Sequence, residues 1–188
     1  MSETKFYTGR GDRGDTARLA AEARVPKSDL LIDTIGTLDE ATSAIGLARS
    51  LAQAPALKQQ LPVVQRHLYR LMSHLSAEAS AREQYAGLAE EDVAWLEALI
   101  AELERDLPPL KGFVLPGDSA AGAACHVART VVRRAERRLV ALTDVESKIG
   151  AGNLAYVNRL SSLMFVAALH EDQLAGETSR LTAHQSDR

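Results

Sequence analysis

Apolar residues return every three or four positions through most of this chain, and that spacing restricts it to packed helices. In the first such stretch Ile32, Ile35, Leu38, Ala41, Ile45, Ala48 and Leu51 fall on one face, as a helix of 3.6 residues per turn requires. This helix opens near Leu30, and Pro55 ends it or follows its end. A second helix is predicted after Pro62, with Val64, Leu68, Leu71, Leu75 and Ala79 as its stripe. A third opens at the acidic turn Glu90, Glu91, Asp92, where negative charge suits a helix N-terminus. It continues through Val93, Leu96, Ile100 and Leu103 to Pro108-Pro109. Asp118 or Ser119 suits the N-cap of a fourth helix running to about Leu142. A fifth spans roughly 152–174.

Aromatic residues make up only 4% of the 188, so the core must be built from Leu, Ala, Val and Ile. Such a core suits close helix packing better than a sheet sandwich. The reading is an all-α fold, a five-helix bundle in a single domain. Residues 1–29 form an N-terminal arm, 30–175 the bundle and 176–188 a polar, mobile tail. The arm is rich in Gly, Asp, Arg and Thr and reads as an ordered loop or a flexible arm with very little strand. The net charge of −3 gives no overall basic field, which argues against nucleic acid as a partner. The one cysteine, Cys125, rules out a disulfide within the chain and fits a reducing compartment. The polar N-terminus lacks the apolar core of a signal peptide, and no apolar run approaches membrane-spanning length. A soluble cytoplasmic protein without a membrane partner is the expectation.

The strongest local signal is a set of arginines. Arg129, Arg133 and Arg137 stand at i, i+4 and i+8 and share one helix face, with Arg134 and Arg138 beside it. Like charges at i, i+4 disfavour a helix by roughly 0.2–0.5 kcal/mol per pair, so the row calls for a compensating partner. Glu136, three residues from Arg133, can relieve part of the repulsion. The remainder falls to acidic side chains elsewhere or to a polyphosphate, which guanidinium forks match well. A solvated basic face with internal salt bridges explains the pattern about equally well.

Three further features carry polar chemistry. Gly9, Gly11 and Gly14 fall within six positions and let backbone N–H groups approach an anion. They also spell G-x-G-x-x-G, but the helical chain that follows excludes a dinucleotide-binding βαβ unit. Asp39 and Glu40 lie on an otherwise apolar helix, where Asp39 borders the core face and Arg129 or Arg133 is an available cation. An ordinary exposed acidic pair is the simpler account. Asn158 and Ser161 cut a polar notch into the stripe Tyr156, Leu160, Leu163, Val166, and a buried notch needs helix or ligand partners. The five histidines show no metal-ligand spacing, so no structural zinc is implied. Cys125 and His126 are adjacent and diverge on a helix, so they form no nucleophile–base pair, and Cys125 reads as a small core residue.

Taken in order, these pieces resemble the PduO-type ATP:cob(I)alamin (corrinoid) adenosyltransferases. The resemblance runs from about residue 4 to 174. It rests on Phe113-Val114-Leu115-Pro116-Gly117, His126-Val127-Ala128-Arg129-Thr130, Arg133-Arg134-Ala135-Glu136-Arg137, Gly36-Thr37-Leu38-Asp39-Glu40, Tyr156-Val157-Asn158-Arg159-Leu160-Ser161 and Gly11-Asp12-Arg13-Gly14-Asp15-Thr16. It implies a homotrimer with active sites between subunits. It also implies transfer of the 5′-deoxyadenosyl group from ATP to the cobalt of cob(I)alamin, with Mg²⁺ assisting and triphosphate leaving. By matching position, the arm would be a nucleotide-binding loop, with Thr8, Gly9, Arg10, Gly11, Asp12, Gly14 and Thr16 around the ATP phosphates and Lys27 contributing. Arg133, Glu136, Arg137 and Asn158 would hold the nucleotide. Asp39 and Arg129 would pair across the site and, with Ser161, seat the corrin ring. Phe113 would press on its lower face and keep cobalt four-coordinate. A reductase and a B12-dependent acceptor enzyme are the further partners implied. The chain departs from the family pattern at Gly9, Leu31, Asp118, Ser162 and Leu169. Gly9 and Asp118 motivate the alternative, a corrinoid-binding or delivery relative without efficient ATP use.

Overall fold

The computed structural model describes residues 7–21, 23–110, 112–145 and 149–176. The proposed mobile tail lies outside the described residues from 177 onward. Five helices carry the fold: α1 (Leu30–Leu51), α2 (Pro55–Ser76), α3 (Glu90–Glu104), α4 (Ala120–Val145) and α5 (Ala151–Leu174). Among the described residues none is long and apolar enough to cross a membrane.

Helix boundaries follow local chemistry. Asp29 caps α1, its side chain accepting from the Leu31 N–H at 2.8 Å. Ser119 caps α4, its Oγ accepting from the Gly122 N–H at 2.9 Å, so Ser119 rather than Asp118 fills the predicted cap. At α3 the Asp92 carboxylate accepts from the Ala89 N–H at 2.8 Å, on the acidic turn. The second helix differs from expectation. It starts at Pro55 rather than after Pro62, encloses Pro62 and ends before Ala79. A proline inside a helix costs about 3 kcal/mol, but Leu57 and Leu61, in the turns that lead into it, are completely buried. Their packing offsets the lost hydrogen bond. A 3-10 turn, Ala79–Gln84, follows α2.

α1 packs against both α2 and α4, α4 against α5, and α5 against α3. Side chains close the ring: His67 Nδ1 of α2 lies 3.0 Å from the Tyr156 hydroxyl of α5, and Arg70 of α2 pairs with Asp92 of α3. Leu38, Ala41, Ile45 and Ala48 are buried as the stripe requires, whereas Ile32 and Ile35 are half-buried and Leu51 is exposed. Because α1 has neighbours on two sides, its buried set widens to include Thr34, Thr37 and Thr42. Their hydroxyls donate to the carbonyls of Leu30, Asp33 and Leu38, which satisfies them without water.

The N-terminal arm contains strand after all. β1 (Asp15–Ala17) pairs antiparallel with β2 (Arg24–Pro26). Gly14 adopts a φ of +80° just before β1, a left-handed turn that a side chain would strain. Arg24 pins the hairpin through the Arg10 carbonyl at 2.9 Å and the Asp15 carboxylate at 2.9 Å. That hydrogen bond holds the Asp15 carboxyl below its ordinary pKa. Leu19 ties the arm to the end of α2, donating to the Ser76 carbonyl and accepting from the Glu78 N–H.

Candidate functional site

The site is organised by α4. Ala124, Cys125, Ala128, Val132, Ala135, Leu139 and Leu142 recur at helical spacing and are all buried. Their small members let α1 and α5 approach closely, which leaves the arginines on two opposite borders of the helix. On the α1 side, Arg134 pairs with Glu40, and Arg138 Nε lies 2.9 Å from Asp33 Oδ2. On the α5 side stand Arg129, Arg133 and Arg137, none with an ion pair among the described residues.

Two adjoining cavities run along this α5 side and share Arg133. The larger, about 430 Å³, is lined by Arg133, Glu136, Arg137, Val140 and Asn158. The other, about 320 Å³, is lined by Glu104, Arg129, Arg133, Ser161, Ser162, Phe165 and Val166. Both volumes are in the range of small-molecule sites. Glu136 does not neutralise Arg133 as the sequence suggested. Its Oε1 instead accepts from Asn158 Nδ2 at 2.7 Å. Asn158 Oδ1 accepts from Arg159 at 2.8 Å, and Arg159 Nε donates to Glu97 at 2.9 Å. The Asn158 amide is therefore fixed in orientation. The expected buried notch is half right: Ser161 is buried and donates to the Asn158 carbonyl at 2.9 Å, whereas Asn158 is exposed at the cavity rim.

Arg129 is half-buried, and burial followed by the nearby Arg133 charge pulls its pKa down. Its Nε donates to His126 Nδ1 at 3.3 Å. A row of guanidinium groups with few carboxylate partners has the donors to hold an anion, and the Glu136–Asn158 pair adds an oriented acceptor and carbonyl-bearing amide beside it. No serine, cysteine or lysine in the groove is paired with a base. Cys125 is completely buried, and burial with Glu171 and Asp172 nearby pushes its thiol up to about 12. Among the described residues no cluster of three or more His, Cys, Asp or Glu is arranged to hold a metal ion.

Arg129, Arg133, Glu136, Arg137, Asn158 and Ser161 are brought together by one chain. The other site residues read from the sequence are not. Asp39 is exposed on α1 and pairs with neither Arg129 nor Arg133, since the α4 arginines that reach α1 are Arg134 and Arg138. Phe113 is 77% exposed on the loop before α4. Thr8, Gly9, Arg10, Gly11, Asp12, Gly14 and Thr16 line neither cavity. Lys27 is turned onto the arm, its Nζ donating to the Gly11 carbonyl at 2.9 Å. Of the departures from the family pattern, Leu31 and Leu169 are buried core residues and Ser162 lines the smaller cavity. Sequence reasoning missed Glu104 and Phe165 in the smaller cavity. Glu104 carried no signal, being one of several acidic residues on α3.

With the geometry in place, the comparisons are consistent with one another. The family model for cobalamin adenosyltransferase matches residues 6–171. A corrinoid adenosyltransferase of Bacillus subtilis is 40% identical over 87% of this chain and 84% of its own length. The corrinoid adenosyltransferase PduO of Citrobacter freundii is 38% identical over 93% of this chain, which spans only 52% of that longer relative. Among solved structures, a PduO-type ATP:corrinoid adenosyltransferase variant from Lactobacillus reuteri, complexed with cobalamin and ATP, superimposes with a TM-score of 0.84. It is 32% identical, over 92% of this chain and 96% of that one. The chain belongs to the cobalamin adenosyltransferase family.

Proposed function

We propose that this chain transfers the 5′-deoxyadenosyl group of ATP to the cobalt of cob(I)alamin. The electron pair of Co(I) forms the cobalt–carbon bond to C5′, the C5′–oxygen bond breaks, and triphosphate leaves with that bonding pair. The metal centre is itself the nucleophile, so the protein's part is positioning and electrostatics. The observation that carries this reading is the α5-side row Arg129, Arg133, Arg137, left without carboxylate partners among the described residues, beside the Glu136–Asn158 pair. Family membership supports it.

In this reading Arg133 and Arg137 hold the polyphosphate, and Glu136 and Asn158 hold the nucleoside. Thr8, Gly9, Arg10, Gly11, Asp12, Gly14, Thr16 and Lys27 close over the phosphates from a neighbouring subunit of a homotrimer. Asp39 reaches Arg129 across the same subunit boundary, which accounts for its exposure in the single chain. Phe113, exposed on its loop, covers the lower face of the corrin and excludes an axial donor, and Arg129 and Ser161 seat the ring. Removing that donor lowers the energy of adding an electron to cobalt. The donor set fits Mg²⁺ only as an ion carried in by the nucleotide, with phosphate oxygens as main ligands and Glu136 the carboxylate lining the larger cavity. A reductase supplies Co(I), and a B12-dependent enzyme takes the product. Buried, unpaired Cys125 fits a reducing cytoplasm.

The test is calorimetric titration of MgATP into the purified protein, followed by an adenosylation assay with chemically reduced cobalamin. Micromolar ATP binding and formation of adenosylcobalamin are expected. Corrinoid binding without ATP binding would make the chain a carrier instead. Sedimentation should return a trimer, and a monomer that still turns over would remove the shared-site roles of Asp39 and the arm.

A further inference from the structure

His126 lies under Arg129 and is not part of the groove lining. It is 3% exposed, and it receives the hydrogen bond from Arg129 Nε at 3.3 Å. An arginine Nε–H can only donate, so Nδ1 must be the unprotonated ring nitrogen and the imidazole proton sits on Nε2. The ring is wedged against Phe165 of α5, edge to face, with centroids 5.9 Å apart. The charged and titratable groups that face it are Arg129 on its own helix, Asp118 on the preceding loop and Asp172 on α5. The Asp172 carboxylate accepts from the Ser119 hydroxyl at 2.6 Å. A Cβ at Gly122 would stand 2.0 Å from Asp172 Oδ1, so only glycine lets α5 reach the α4 cap. The α4 backbone in the turn before His126 is thereby fixed against α5.

We infer that His126 is a positioning residue, which orients the Arg129 guanidinium toward the groove by accepting its Nε–H and does so only while the imidazole is neutral. Protonation would turn the acceptor Nδ1 into a donor and place a second cation against Arg129. Both effects release the arginine. Burial favours the neutral ring and pulls its pKa below the ordinary 6.5, as does Arg129, against the opposing pull of Asp172 and Asp118. The two other nitrogens of Arg129 make no hydrogen bond among the described residues and are left for a ligand. With His126 holding the third, the fork enters the binding event with part of its freedom already removed.

This inference rests on the adenosyltransferase reading, so the parent protein is assayed first, and a parent without adenosylation would sink that reading and not this one. The experiment is the pH dependence of kcat/KM for the parent, His126→Asn and His126→Gln, each checked for an unchanged helical signal. Asparagine carries an acceptor oxygen near the place of Nδ1 and does not titrate. Glutamine carries its amide near the place of Nε2. His126→Asn should keep activity within a few-fold of the parent and lose the acid-side fall of the parent's profile. His126→Gln should lose roughly 10- to 100-fold across the range. Equal activities with one shared acid limb would overturn the assignment. Should both variants misfold, nitrogen-15 NMR of the parent decides: the Nε2–H tautomer, with a pKa that rises in Arg129→Gln, is required. An Nδ1–H tautomer, or a pKa indifferent to Arg129, would reject it.

Discussion

Helix α4 carries five arginines within ten residues, and its two borders treat them oppositely. Toward α1, Arg134 and Arg138 each meet a carboxylate of the same chain, Glu40 and Asp33. Toward α5, among the described residues, Arg129 meets a histidine, Arg133 has no hydrogen-bonded side-chain partner, and Arg137 donates to the Arg133 carbonyl at 3.1 Å. Glu136, the acidic residue of α4 placed to help, is occupied by Asn158. Residue type is the same on both borders, so the difference lies in what the neighbouring helix offers. An arginine paired within its own chain has few donors left for a ligand, while one left against like charges gains the most when an anion arrives.

The sharpest way to break this comparison is Arg133→Ala. The affinity for MgATP should fall by about a hundredfold or more, ~2.8 kcal/mol, in calorimetry. The melting temperature should hold or rise slightly, because like-charge repulsion is relieved. A variant that binds ATP normally would show the α5 border to be merely a basic surface. Phe113→Ala, which removes a side chain already exposed, should leave ATP affinity and melting unchanged. It should slow adenosylation about tenfold or more when reduction of the corrinoid limits the rate. If both variants behave like the parent, the residue roles are wrong even where the activity is real.

Two smaller effects separate the groove from the scaffold. His67, half-buried on α2 against α3 and α5, has its pKa pulled down chiefly by burial, with Asp92 opposing and Arg70 and Arg66 assisting. A depressed histidine contributes stability that is complete above its ordinary 6.5 and is lost as pH falls through the native value. Denaturant unfolding should therefore weaken below pH 6.5, and His67→Gln should flatten part of that decline. A slope unaltered by the substitution would move the effect elsewhere. Smallest of all, Arg134→Ala and Arg138→Ala should each change stability by less than about 1 kcal/mol, since both pairs are half exposed. ATP affinity should stay within about twofold. A large loss of ATP binding in either would erase the distinction between the two borders.

How much of this was legible beforehand varies with the range of the interaction. The α4 cap was narrowed to Asp118 or Ser119, and the arginine row, the acidic start of α3 and the middle of the α1 stripe from Leu38 to Ala48, which are periodic or adjacent in sequence, read correctly. The start of α2 did not, because Pro62 is a strong local stop signal that the burial of Leu57 and Leu61 overrides. The hairpin of the arm was invisible in three-residue strands held by Arg24 and Lys27. Glu136 read by spacing as a partner of Arg133, and only the position of α5 selected Asn158. Asp39 was read as a partner of Arg129 across the site; within one chain α1 meets Arg134 and Arg138 instead, so that pairing is proposed only between subunits.

The sequence by itself determined the five helices, the family and the face on which Arg129, Arg133 and Arg137 stand, because each follows from short-range periodicity and motif order. Only the tertiary structure decided which arginines remain available. That choice depends on which carboxylates the packing of α1 and α5 brings within hydrogen-bonding distance, and on the buried His126 that α5 and the α4 cap hold against Arg129. Pairing of that kind joins residues as far apart in the chain as Asp33 and Arg138, and no local pattern encodes it.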